Sequence, residues 1–202
     1  MMCALTKKIR VPAALARLIG ESRGVSAVEF ALVAPLMISL YLGCVGISDG
    51  VAVDRKVSLI AGTLANLTAS CSDSNSNSGG CPGNDISTTE MGNIFAAASA
   101  IMTPYSSGPL KMTISCIAVA SDGTVTVPWS EAQGGATKLT TFTFGSSQSA
   151  LKVNGTQLIY AAVSYDYVPI VGTSFVPQLT LTDHMFMAPR ISTPSYNGTP
   201  CS

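Results

Sequence analysis

Two sets of residues in this chain are able to do chemistry: one carboxylate set just inside an apolar run, and six cysteines. The carboxylate, Glu29, follows Arg23-Gly24-Val25-Ser26-Ala27-Val28 and precedes Phe30-Ala31-Leu32-Val33-Ala34-Pro35. An ionised group near the centre of a membrane helix costs about 2.5–3.5 kcal/mol for Asp, Lys or Arg on insertion scales. Glu29 therefore calls either for a cation partner, which would offset that cost, or for a place at the headgroup level, where the cost is small and the acid does nothing further.

The cysteines fall into two groups. Cys3 and Cys44 lie in the leader and the apolar run, and Cys71, Cys81, Cys116 and Cys201 lie beyond them. An even number outside a membrane segment points to disulfides, because oxidising compartments make and keep them. Four cysteines allow three pairings. Cys71 with Cys81 is favoured, since it closes a Ser/Asn/Gly loop too polar to hold itself together, and Cys116 then tethers Cys201. The Cys71/Cys81 spacing is too wide for a CxxC redox motif or zinc knuckle.

Other chemistry is thin. His184 is the only histidine, and its neighbours Thr182, Asp183, Met185 and Phe186 read as a strand, so a structural role is expected. Zinc hydrolysis needs about three protein ligands, and no spacing of carboxylates around His184 supplies them. Gly79-Gly80 and Gly134-Gly135 lack the strand and helix context of a phosphate loop. Tyr165-Asp166-Tyr167 is able to bind a ligand, but alternating aromatics in a strand are usually sheet packing. The expectation is a protein that is not an enzyme, with no metal, no cofactor and no small-molecule substrate.

The elements that must position these residues begin with the apolar run. Phe30 to Ser48 is uncharged and would rise about 28 Å as a helix, close to the roughly 30 Å of a hydrocarbon core. Only 11% of the residues are charged and mean hydropathy is +0.41, which fits a chain with one membrane segment. Lys7, Lys8, Arg10, Arg17 and Arg23 precede the run against a single acid, Glu21. Basic residues beside a first helix stay cytoplasmic, which puts the rest of the chain outside. The remaining Lys and Arg residues are scattered, which sets nucleic acid aside as a partner.

Beyond the run, Val53, Val57, Ile60, Leu64 and Leu67 recur with helical period, extending the membrane helix, with Pro35 as a point where it can kink. Ser70 to Asp85 reads as loop. Ser87-Thr88-Thr89-Glu90 has the spacing of a capping box, opening a helix through Met91, Ile94, Phe95, Ala98 and Ile101 that Pro104 ends. Leu110, Met112, Ile114 and Cys116 then alternate as a half-buried strand. Ser121-Asp122-Gly123 is a turn and Thr124 to Val127 its return strand. Thr140 to Phe144, Leu158 to Tyr167 and Gln178 to Met187 are further strands. The expected fold is α+β, a long N-terminal transmembrane helix continuing into helices packed on an antiparallel sheet. The expected division is a basic cytoplasmic leader over 1–24, a transmembrane helix over 25–48, an amphipathic extension over 49–69 and an exported domain over 70–202.

Arg23 to Pro35 resembles the processing junction of type IV prepilins of the Tad/Flp (type IVc) class, and the TadE-like minor pilins in particular. Asp54-Arg55-Lys56, Val127-Pro128-Trp129-Ser130, Ser164-Tyr165-Asp166-Tyr167-Val168-Pro169 and Met187-Ala188-Pro189-Arg190 are more loosely similar to the order in that family. The resemblance implies a pilin-like fold and cleavage between Gly24 and Val25 by a membrane-embedded prepilin peptidase. It also implies that Glu29, then the fifth mature residue, pairs with the new amine of a neighbouring subunit. Phe30 stands where major Flp pilins usually have Tyr, and the outer domain is far larger than a major pilin's tail, which points away from the bulk fibre subunit. The implied partners are the bacterial inner membrane, the peptidase and other Tad pilins and assembly proteins. The implied location is single-pass, with the N-terminus cytoplasmic, the C-terminal domain periplasmic and incorporation into a pilus open to it. The alternative is an envelope scaffold or binding protein, either uncleaved and single-pass or lipid-anchored. Leu42-Gly43-Cys44 is similar to the end of a lipobox, although Tyr41 stands where Leu is usual and the apolar run continues to Ile47.

Overall fold

A computed structural model describes residues 24–70, 85–169, 178–190 and 193–202. The basic residues of the leader, and Cys71 and Cys81, lie outside the described residues. The first helix, α1 (Val25–Ser70), continues through Pro35. The chain divides into two units at Val45/Gly46, so the two stretches of α1 are taken separately. In the first, the large apolar side chains from Val25 to Val45 are exposed, with Phe30 at 73% and Leu32 at 74%. No described residue of this unit buries them. In the second, Val53, Val57, Ile60 and Leu64 are fully buried, and Ala61, Ala65 and Ala69 fill the same stripe. The i, i+3, i+4 spacing turns these residues to one face, which is the condition for packing a helix on a sheet.

After β1 (Asp85–Ile86) comes α2 (Thr88–Ala100). Its N-terminus is the expected capping box: the Glu90 backbone N–H donates to Ser87 Oγ at 3.2 Å, and the Ser87 N–H donates to the Glu90 carboxylate at 2.8 Å. Two backbone donors that the helix itself leaves orphaned are thereby satisfied. Met91, Ile94, Phe95 and Ala98 face the core. The Lys56 ammonium donates to the carbonyls of Ile101 and Thr103, each at 2.8 Å. This places a cation on the carbonyls just past the end of α2, where it is favoured.

The large sheet holds β2 (Leu110–Val119), β3 (Val125–Thr126), β4 (Ser130–Gln133), β5 (Gln157–Tyr167) and β6 (Leu179–Met187), all its pairings antiparallel. The order is β3-β2-β5-β6, with β4 also on β2. Leu110, Met112, Ile114 and Cys116 of β2 pair with Tyr165, Val163, Ala161 and Ile159 of β5, and this inner face joins α1 and α2 in one core. The fold is thus α+β with helices against an antiparallel sheet.

A second sheet holds β1, β7 (Ser195–Tyr196) and β8 (Thr199–Pro200), with β1 parallel to β7. Asn197 and Gly198 turn β7 into β8 with φ of 48° and 76°, the left-handed pair that a two-residue hairpin requires. Cys201 follows, fully buried, and is bridged to Cys116 with the Cα atoms 5.8 Å apart.

One expected strand is absent. Thr140 to Phe144 alternates with period two but pairs with nothing as a strand. Phe142 instead packs on Tyr160 and Phe186 at ring-centroid distances of 5.2 and 5.8 Å, and on Phe144 at 5.0 Å. Both rings are spent on the outer face of β5 and β6, so the segment is held by aromatic contact in place of a hydrogen-bond ladder.

Candidate functional site

The junction that the sequence singles out lies at the start of α1. Val25 is the first residue of α1, Gly24 immediately precedes it in a 3-10 turn, and both are exposed. A Cβ built on Gly24 meets nothing within 4 Å, so packing among the described residues sets no demand for glycine there. Glu29 is one turn further on and also exposed, among the apolar side chains of Val28, Phe30, Leu32 and Val33.

A second constellation lies at Asp49, the first charged residue after the apolar run. Its carboxylate accepts from the Tyr105 hydroxyl at 2.5 Å and from the Tyr167 hydroxyl at 2.7 Å. Tyr105 comes from the turn after α2 and Tyr167 from the end of β5, while the Tyr165 hydroxyl donates to the Ser106 carbonyl at 3.1 Å. One half-buried acid thus ties α1 to the segment after α2 and to the sheet. Sequence reasoning missed this clamp, because Asp49 and Tyr167 are 118 residues apart. The only local signal was Asp49 itself, a conspicuous acid at the end of an apolar run.

The tyrosine hydrogen bonds hold the Asp49 carboxyl below its ordinary range. Burial first, and then the Asp49 hydrogen bond, push Tyr167 up to about 12. For a depressed acid the stabilisation is complete above the ordinary pKa of about 4 and is lost as pH falls through the lower folded value. For a raised tyrosine it is complete below about 10 and is lost as pH climbs through the raised folded value. Asp49→Asn is expected to destabilise the chain by about 1–2 kcal/mol, discounted for partial solvation of the carboxylate. In a phenolate absorbance titration Tyr105, raised chiefly by Asp49, should fall toward its usual value. Tyr167 should remain partly raised, because burial is its larger cause. An unchanged titration would contradict the clamp.

The remaining candidate residues separate. His184 is exposed on β6, its Nε2 3.1 Å from the Gln148 amide nitrogen, and its backbone N–H donates to the Asp183 carboxylate at 2.8 Å. Among the described residues, no group of three His, Cys, Asp or Glu side chains comes together as a metal site. Cys116 and Cys201 meet in the disulfide already described. Tyr165 and Tyr167 face the core while Asp166, between them, pairs with Lys111 at 2.8 Å on the other face.

α1 is the one helix among the described residues long and apolar enough to cross a membrane, and no residue of its most apolar window is buried among the described residues. With an α+β domain following it, this defines a single-pass membrane-anchored protein. Residues 24–54 match the family of TadE-like proteins, which makes this segment TadE-like. The match takes in the Gly24–Val25 junction, Glu29, Pro35 and Asp49, and it stops before the rest of the domain. No curated protein and no solved structure matches the chain.

Proposed function

We propose that this protein is a minor pilin-like component of the Tad pilus assembly machinery and is not an enzyme. The observation that carries the reading is Gly24 followed five residues later by Glu29, at the head of an exposed apolar helix and inside the TadE-like segment. A prepilin peptidase cuts between Gly24 and Val25 and leaves a charged amine on Val25. In the bilayer that amine and the Glu29 carboxylate of a neighbouring subunit each lack water, and pairing offsets the cost of both. The acid then sets the register in which subunits are added, while the helix stays in the inner membrane with the leader cytoplasmic and the domain periplasmic.

The Gly24→Asp substitution tests this, because a Cβ at Gly24 meets none of the described residues within 4 Å. In cells carrying a cognate Tad system the variant should accumulate at precursor size and should fail to enter the assembly. Normal maturation of the variant would sink the proposal.

A further inference from the structure

The outer face of the large sheet, opposite α1 and α2, carries a cleft of about 530 Å³ that neither the junction nor the clamp uses. Strand alternation lines its floor with Ser164 and Ala162 of β5, beside Thr113 of β2 and Thr182 and His184 of β6. Ala162 is the low point, because its methyl lies between Thr113 and His184 in the same cross-strand row. Tyr160 closes one end and is itself backed by Phe186 and Phe142, with ring centroids 5.0 and 5.2 Å away. Gly135 to Thr137, just past β4, form a side wall.

The chemistry of the lining is specific. An aromatic wall stands beside the Ser164 and Thr182 hydroxyls, while the Thr113 hydroxyl donates to the Thr137 carbonyl at 3.2 Å and the cation at the rim, Lys111, is already held by Asp166 at 2.8 Å. Nucleic acid would need unpaired cations, and a lipid chain or the apolar face of a helix would need a floor without hydroxyls. A ligand with an apolar C–H face for the ring and hydroxyls for the strand side chains satisfies both halves. The volume lies within the roughly 300–1,000 Å³ of small-ligand sites. We propose that this cleft binds a neutral oligosaccharide, which stacks on Tyr160 and hydrogen-bonds to Ser164, Thr182 and His184. The site does not depend on processing at Gly24, so the two readings stand or fall separately.

The test is saturation-transfer NMR on the full chain in lipid nanodiscs, with cellobiose, diacetylchitobiose and maltotriose as probes. At least one should bind. Ala162→Leu, which fills the floor, should weaken that binding about tenfold or more by steric exclusion, and Thr182→Ala should weaken it about threefold through one lost hydrogen bond. No transfer to any of the three sugars would overturn the proposal, as would unchanged affinity in a folded Ala162→Leu protein. Should Ala162→Leu fail to fold, Thr182→Ala on the exposed edge strand decides alone, and wild-type affinity there overturns it. Capture of an extended peptide along β6 with no sugar bound would likewise overturn it.

Discussion

Replacing Cys201 with Ser is expected to lower the stability of the domain by about 4 kcal/mol. The bridge spans 85 residues of sequence, and in the chain-entropy account a closure of that length removes much of the freedom of the unfolded chain. The ladder around the C-terminal hairpin is short, because β1, β7 and β8 are two residues each. Among its ties elsewhere are hydrogen bonds from Asn197 N–H to the Ile86 carbonyl at 3.2 Å, from Gly198 N–H and the Ser195 hydroxyl to Asp85 at 2.9 and 2.8 Å, and from the Tyr196 hydroxyl to Glu131 at 3.1 Å. The protein carries its own reporter of this event. Its single tryptophan, Trp129, is buried against Tyr196 with ring centroids 5.8 Å apart. Denaturant unfolding followed by tryptophan fluorescence should show a much lower midpoint in Cys201→Ser, and a midpoint equal to wild type would remove the disulfide from the account.

Gly134→Ala is expected to be the costliest single methyl addition, at about 2–4 kcal/mol. Gly134 has φ +71°, and a Cβ there would run into the Leu110 carbonyl oxygen and carbon, both backbone atoms at the start of β2. The chain leaves β4 at that point, right after Gln133 pairs with Met112, so relieving the contact means moving one strand off the other. Gly135 is the internal control. Its φ is +78°, but a Cβ on it meets nothing within 4 Å, so Gly135→Ala should cost only the backbone penalty of about 1–2 kcal/mol. Equal losses for the two variants in thermal unfolding would show that close approach at Gly134 plays no part.

What could be read from the sequence was what repeats locally. The capping box at Ser87 and Glu90, the helical period from Val53 to Leu64 and the two-residue period from Leu110 to Cys116 each state a face and an element within a few residues. Thr140 to Phe144 has the same two-residue period and forms no strand. Alternation reports that every second side chain is buried, and it does not say whether a ladder or another set of rings buries it. The hairpin at Asn197-Gly198 was legible in principle, since that dipeptide is a strong turn signal, although its flanking strands are too short to show alternation. The Asp49 clamp was beyond reach because its partners meet only once α1, α2 and β5 have packed. Gly24 and Glu29 stand out for the opposite reason: an acid in an apolar run is anomalous on its own, and needs no tertiary contact to be noticed.

On the proposed reading, Glu29 acts on an amine that exists only after the first 24 residues have been removed. N-terminal sequencing of the chain recovered from membranes of cells with an active cognate prepilin peptidase tests it most directly. The account predicts a mature sequence beginning Val25-Ser26-Ala27-Val28-Glu29, and recovery of the chain with the leader still attached would contradict it.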